Sequence, residues 1–249
     1  MKALLLAGGR GERMGEFTDT RNKCVLPVVD DKVLLDYPLA HVKKMVPYIT
    51  ELVIVIGYRA RDIIDRIESW YNESDVSDEL IGFDISFIHQ PLDSIGMVNA
   101  LSLARERIFD EDDFMLVLGD EYIGDDFATW RMHHKFKSAH CDGVIGYVTD
   151  DNPRSIERTF SISVEGNDMG FHEKRVVNGS RYKGTGMGMF HGSFLSAIEL
   201  CEDYPDAIES YIEAENYVEL CELKKPYYNI NTVDDYVELG VYLTGRSPL

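Results

Sequence analysis

Three short stretches in the first half of the chain are apolar almost throughout: Lys2 to Ala7 after its lysine, Leu52 to Gly57, and Phe114 to Gly119. Runs of this length without polar alternation fit strands buried on both faces of a parallel sheet. Between them apolar residues recur at helical spacing. Leu39, Val42, Met45 and Val46 share one face, and so do Ile63, Ile64, Ile67 and Trp70. Asp84 to His89 alternates as a strand does, and Met97 to Phe109 reads as a helix. The repeated β–α–β order predicts an α/β fold: a doubly wound, mostly parallel, Rossmann-like mixed sheet with right-handed crossovers.

The second half is more varied. Strands are expected at Asp142 to Val148, Thr159 to Val164 and Thr185 to Phe190, joined by longer polar loops. Helices should run from Gly192 to about Cys201, from near Pro205, and from Thr232, where Thr-Val-Asp-Asp reads as a capping box. Asp110 to Asp113 reads as a solvated turn. No Pro/Ser/Gly-rich linker, low-complexity tract or repeat interrupts the sequence. The expectation is one domain, residues 1–249, with an inserted substrate-side lobe.

Composition narrows the function. Of 249 residues, 45% are hydrophobic, ample for a core, and no apolar run is long enough to cross a bilayer. The N-terminus carries one lysine and enters a strand directly, with no cleavage-type segment, so a soluble cytoplasmic protein without membrane partners is expected. The formal charge of −19 disfavours binding to the nucleic-acid backbone. It does not exclude a small phosphorylated ligand, because a few well-placed cations reverse the field locally. The four cysteines form no CxxC pair and should be reduced thiols. His133, His134, His140 and Cys141 fit a surface helix followed by a buried cysteine better than a zinc site.

The segment after the first strand carries the chemistry: Leu6-Ala7-Gly8-Gly9-Arg10-Gly11-Glu12-Arg13-Met14. A glycine-rich turn at the carboxyl end of a buried strand lets backbone N–H groups approach phosphate oxygens, at the sheet edge where open α/β folds bind ligands. A tight turn without a ligand is the plainer reading. The dinucleotide fingerprint needs a glycine where Met14 stands, and no G-x-x-x-x-G-K-[ST] occurs. Arg13 inside the loop and Lys23 after it are placed to offset triphosphate charge. Asp120, which follows an apolar strand, suits a hard metal ion or, alternatively, a helix cap.

Leu6 to Pro27 resembles the signature of sugar-1-phosphate nucleotidyltransferases such as the glucose-1-phosphate thymidylyl- and uridylyltransferases, L-A-G-G-x-G-T-R-L followed by a Thr and P-K-x-L-x-P. Thr18 and Asn22-Lys23-Cys24-Val25-Leu26-Pro27 match the later part. The sequence departs at Glu12, at Gly15-Glu16 and at Asn22, which stands where the family has proline. Further likeness lies in Gln90 to Ala100, in Leu116-Val117-Leu118-Gly119-Asp120, in Glu173-Lys174, in Gly184 to Phe190, and in Tyr228-Asn229-Ile230-Asn231-Thr232-Val233-Asp234-Asp235-Tyr236.

The resemblance implies an enzyme that transfers a nucleotidyl group from a nucleoside triphosphate to a sugar-1-phosphate, with Mg2+, and releases pyrophosphate. It implies a nucleotide-binding half (1–125) and a sugar-phosphate-binding half (126–249), and homo-oligomers as often found among relatives. Arg13, Lys23 and Asp120 would be catalytic. Leu6, Ala7, Gly8, Gly9, Gly11, Gln90 and Gly96 would bind the nucleotide, Gln90 reading the base edge. Glu173, Lys174 and Gly186 would hold the sugar phosphate, although an exposed Glu–Lys pair of no function is the bland alternative. Asp120 would bind the metal, with Asn229 or Asn231 as a second ligand unless these asparagines only shape a turn. Two other readings keep the fold: a cytidylyltransferase for phosphocholine or a phosphonate, and a non-catalytic regulatory subunit. The retained Arg13, Lys23 and Asp120 oppose the second.

Overall fold

The computed structural model describes residues 1–76, 82–94, 96–138, 140–166, 168–198 and 201–245. Its strands are β1 (Lys2–Leu6), β2 (Pro27–Val29), β3 (Lys32–Val33), β4 (Glu51–Ile56), β5 (Asp84–His89), β6 (Asp113–Leu118), β7 (Glu121–Ile123), β8 (Gly143–Thr149), β9 (Phe160–Glu165), β10 (Asp168–Glu173), β11 (Tyr182–His191), β12 (Val218–Glu222) and β13 (Tyr227–Asn229). Its helices are α1 (Asp36–Lys43), α2 (Ala60–Val76), α3 (Met97–Leu103), α4 (Ala128–Ser138), α5 (Pro153–Ile156), α6 (Ser193–Ala197), α7 (Tyr204–Glu213) and α8 (Val233–Thr244).

A nine-stranded sheet runs through both halves of the chain in the order β10-β9-β11-β6-β1-β4-β5, with β8 and β12 branching from β11. The stretch β6-β1-β4-β5 is wholly parallel. Beyond β6 the sheet turns antiparallel at β11, and only β12 on β8 is again parallel. The apolar runs explain this arrangement. Leu5 of β1, Ile54 of β4 and Val117 of β6 face a core shared with α1, α2 and α4. Leu4, Val53 and Leu116, one residue earlier in each strand, face a second core under α3, α6 and α7. Strands apolar on both faces suit a sheet covered by helices on both sides.

The chain winds from β1 outward to β4 and β5, then returns to β6 on the other side of β1. The strand order therefore reverses between β1 and β6. At such a reversal the loops leaving the two strand ends diverge and open a crevice, the usual ligand position in open α/β sheets.

Some elements differ from expectation. The helix from Met97 ends at Leu103 and a 3-10 turn, Ala104–Glu106, follows. The helix after Gly192 is only Ser193–Ala197, and Glu199 and Leu200 lie outside the described residues. Strands β10 and β12 carry charged or polar residues among few apolar ones, so neither alternates cleanly. The four cysteines are unpaired. Among the described residues no helix is long and apolar enough to cross a membrane.

Helix α8 starts as its sequence predicts. The Thr232 side chain accepts from the Asp235 backbone N–H, and the Asp235 carboxylate accepts from the Thr232 backbone in return. Asp235 also receives the Asn231 N–H at 3.1 Å and pairs with Arg158. The cap thus anchors the segment that carries Asn229 and Asn231. Replacing the cap, Thr232→Ala, should lower stability by about 1 kcal/mol, read as a lower urea midpoint at unchanged slope.

Candidate active site

The loop leaving β1 is held in place by polar side chains. Asn22, fully buried, accepts from the Cys24 N–H at 2.8 Å and so caps the 3-10 turn Lys23–Val25. Its amide donates to the carbonyls of Ala7 and Tyr58, and its own N–H goes to Asp62 at 2.7 Å. Where the resembling family has proline, this chain uses a side chain that ties three segments together. Thr18 donates to the Gly11 and Gly15 carbonyls, both at 3.1 Å. Gly11 has φ +66°, a left-handed turn that costs glycine little. Gly8 packs so closely that a Cβ there would lie 2.8 Å from the Gln90 Oε1.

The loop and the end of β6 bound a cleft of about 520 Å3, at the carboxyl ends of β1 and β6. Leu6, Ala7, Gly8, Gly9, Gly11, Arg13, Lys23, Gln90, Gly96, Asp120 and Asn231 all line it. Of the residues expected to serve the nucleotide, the catalysis or the metal, only Asn229 is absent from these walls. Arg13 is exposed at the rim. Lys23 is 6% exposed and places its ammonium 2.5 Å from the Asp120 carboxylate. A charge so deep in the protein is tolerable only when paired.

Gln90 differs from expectation in what it offers. Its Nε2 donates to the carbonyls of Ser94 and Gly96 at 2.7 and 3.2 Å, closing its own loop. Its Oε1 remains as an acceptor beside Gly8. The side chain thus shapes the cleft wall and brings one acceptor to a ligand, instead of a donor and an acceptor together. Ile95, in the same segment, lies outside the described residues.

The two asparagines also divide. Asn231 has its Oδ1 3.4 Å from the Lys23 ammonium and faces the cleft, while its amide donates to Asn229. Asn229 donates to Glu121 at 3.3 Å, so both ends of its amide are engaged within the protein. Asp120 and Asn231 therefore present oxygen ligands of the kind a hard divalent ion prefers, and such an ion commonly completes its shell with water and substrate phosphates. No group of three or more His, Cys, Asp or Glu fit for a metal occurs among the described residues.

Glu121, which sequence reasoning passed over, is the centre of a second network. It is 3% exposed and accepts from the Gly186 N–H at 2.9 and 3.0 Å and from the Tyr227 hydroxyl at 2.6 Å. The N–H of Gly186, a residue expected near the sugar phosphate, donates to Glu121. Glu121 and Ile123 both point inward from the short strand β7. That alternation is the faint signal that could have exposed it.

Glu173 and Lys174 stand apart. Glu173 ends β10 and Lys174 follows it; they pair with each other at 2.8 Å and line no wall of the cleft. The Lys174 side chain is 65% exposed. His133 and His134 lie on α4, and Cys141 beyond it is buried.

Burial pushes the Glu121 carboxyl up to about 7, opposed by the Tyr227 and Gly186 hydrogen bonds and helped by the charge of Asp120. Between its ordinary value of 4.5 and about 7, the folded protein keeps a proton that the unfolded chain releases. This contribution to stability is complete below the lower value and is lost as pH rises through the upper one. In metal-free buffer, Glu121→Gln should remove a decline of about 3 kcal/mol over that window. Urea denaturation of both proteins at the two ends of the window measures it, and parallel declines would refute it.

Comparison with known proteins places the chain in a family. A family model described as nucleotidyl transferase matches residues 2–233. The low-salt glycan biosynthesis nucleotidyltransferase Agl11 of Haloferax volcanii is 28% identical over 220 residues, covering 86% of this chain and 57% of that protein. The glucose-1-phosphate thymidylyltransferase of Streptomyces griseus is 25% identical over 247 residues, 96% of this chain and 65% of that one. The chain thus spans 57 to 65% of the length of these curated relatives. A UDP-glucose pyrophosphorylase solved with UDP-glucose superposes with a TM-score of 0.81 at 18% identity, covering 98% of this chain and 99% of that one. The UTP-bound UGPase from Acinetobacter baumannii gives 0.77 at 16% identity, covering 99% and 94%. At these identities the solved structures establish the fold, Rossmann-like with a largely parallel central sheet. With the family match running through the glycine-rich loop, the Lys23 turn and the Asp120 strand end, the chain belongs to the nucleotidyl transferase family.

Proposed function

We propose that the protein is a cytoplasmic enzyme that transfers a nucleotidyl group from a nucleoside triphosphate to a sugar-1-phosphate, with Mg2+, and releases pyrophosphate. The observation that carries this reading is the buried Lys23 ammonium held against Asp120, beneath a glycine-rich loop, where the strand order reverses. A sugar-phosphate oxygen forms a bond to the α-phosphorus, and the bond from that phosphorus to the bridging oxygen breaks, its electrons leaving on pyrophosphate. Such a reaction asks a protein for positioning and charge compensation rather than for a covalent intermediate.

The residues divide that work. Backbone N–H groups of the Gly8–Gly11 loop face the phosphates, and the Arg13 guanidinium at the rim can grip oxygens of the leaving pyrophosphate. Lys23 counters charge that develops at the α-phosphate. Asp120 and Asn231 would hold Mg2+, which supplies further neutralisation of phosphate oxygens when bound. Asn229 serves as a brace for Asn231. The names of the relatives support a sugar-1-phosphate as acceptor, since one is a glucose-1-phosphate thymidylyltransferase.

A product screen tests the reading. The protein is mixed with Mg2+, each of the five common nucleoside triphosphates and a pool of sugar-1-phosphates, and pyrophosphate release is followed with mass identification of the product. One nucleotide–sugar is the expected product. Release only with choline phosphate or a phosphonate would replace the sugar, and no release despite nucleotide binding would favour a non-catalytic subunit. In the active pair, Lys23→Ala should lower kcat/KM by about a hundredfold or more, and Asp120→Ala should abolish turnover that depends on Mg2+. Retained activity in either variant would remove its assigned role.

A further inference from the structure

The two cleft oxygens that suit a divalent ion already face one cation. The Lys23 ammonium lies 2.5 Å from the Asp120 Oδ2 and 3.4 Å from the Asn231 Oδ1. Among the described residues Asp120 makes no other ion pair. Glu121, the next residue, turns its carboxylate to Gly186, Tyr227 and Asn229 instead. Asn231 contributes an oxygen but no charge. The single charge of Asp120 can therefore balance the ammonium or serve a divalent ion, and with both in contact their mutual repulsion is left uncompensated.

Lys23 is built to change partners. Its backbone is fixed: Asn22 caps the turn, and the Leu26 N–H closes on the Lys23 carbonyl at 3.1 Å. Its stem runs along the glycine-rich loop, where a Cβ at Gly11 would lie 3.2 Å from the Lys23 Cβ and 3.4 Å from its Cδ. Rotation about the outer bonds of the side chain carries the ammonium from Asp120 toward a phosphate seated on that same loop. A triphosphate offers it several charged oxygens in exchange for the one carboxylate it gives up.

We propose that Lys23 is an exchangeable counter-ion that keeps divalent metal out of the cleft until a nucleotide arrives. In the free protein its ammonium neutralises Asp120. A bound triphosphate draws the ammonium onto phosphate oxygens, and Asp120 and Asn231 are released to the metal. By linkage, triphosphate and metal then strengthen each other by the same factor. The proposal rests on the nucleotidyl-transfer reading and adds to it an order in which the site is filled.

Binding of Mn2+ alone, followed as free Mn2+ by electron paramagnetic resonance without nucleotide, tests the exclusion. Lys23→Gln should bind Mn2+ about tenfold more tightly than the wild type, whereas Lys23→Arg should bind it as weakly. Arg13→Gln, which removes an exposed cation of the rim, should change the affinity by less than about twofold. Should Lys23→Gln fail to fold by circular dichroism, Lys23→Met, which keeps most of the stem without the charge, carries the same expectation. Equal affinity in the wild type and the uncharged variant overturns the proposal. So does an equal gain in Arg13→Gln, which would trace the effect to the field of the whole cleft. Calorimetry with inorganic triphosphate in EDTA tests the exchange. Asp120→Asn should bind triphosphate about fivefold more tightly than the wild type, and in the Lys23→Gln background the gain should fall below about twofold. The same gain in both backgrounds, or no triphosphate binding by either protein, overturns the exchange. A nucleotide–sugar product without the Mn2+ gain would remove the proposal and leave the reaction standing. The Mn2+ gain without any product would do the reverse.

Discussion

The site depends on β1 lying in parallel register between β4 and β6. Leu6 stands opposite both Val55 and Leu118, and the Gly119 N–H donates to the Leu6 carbonyl at 2.9 Å. This pairing brings the glycine-rich loop and Asp120 out of the sheet side by side, although more than a hundred residues separate them. The Lys23–Asp120 contact follows from it. Shift either strand by one residue and the side chains of its two faces would exchange cores, so that both faces stay apolar but neither keeps the shapes that fit the helices packed on it. The energy that fixes the register comes from the two cores, and the site inherits their accuracy.

Much of this was legible in the sequence because the residues that make the sheet are apolar on both faces. Strands β1, β4 and β6 needed no more than a run of aliphatic residues bounded by glycine. The clefted loop was legible for a related reason, since Gly8, Gly9 and Gly11 mark backbone that must approach something closely. Strands β10, β12 and β13 were not, because each is short or carries charges that other parts of the chain neutralise. Asn22 and Glu121 were hidden for the same reason. A buried polar residue looks like any surface residue until its partners, often a hundred positions away, are known. Glu173 and Lys174, adjacent in sequence, were legible as a pair, and the fold keeps them paired, Lys174 exposed and Glu173 half-buried.

The two hidden residues nearest the cleft have complementary tasks. Asn22 binds the loop to the Tyr58 and Asp62 region, on the side of β4. Glu121 binds the end of β6 to β11 and β13 through Gly186, Tyr227 and Asn229. Both are buried and use their polar atoms on several segments at once, so that moving one segment leaves unsatisfied groups in several others. Lys23 and Asp120 are held between these two knots.

The depth of Lys23 also shapes how a charged ligand reaches it. The protein as a whole carries a formal charge of −19, and at long range any anion meets that field before it meets the lysine. Dissolved ions screen charges separated by more than about 10 Å at 0.1 M ionic strength, but act far less on a pair in contact and shielded from water. Salt then works on arrival and on residence unequally, weakening the outer repulsion while leaving much of the inner attraction in place. A recessed cation in a protein of net negative charge is reached more readily by an anion as ionic strength rises.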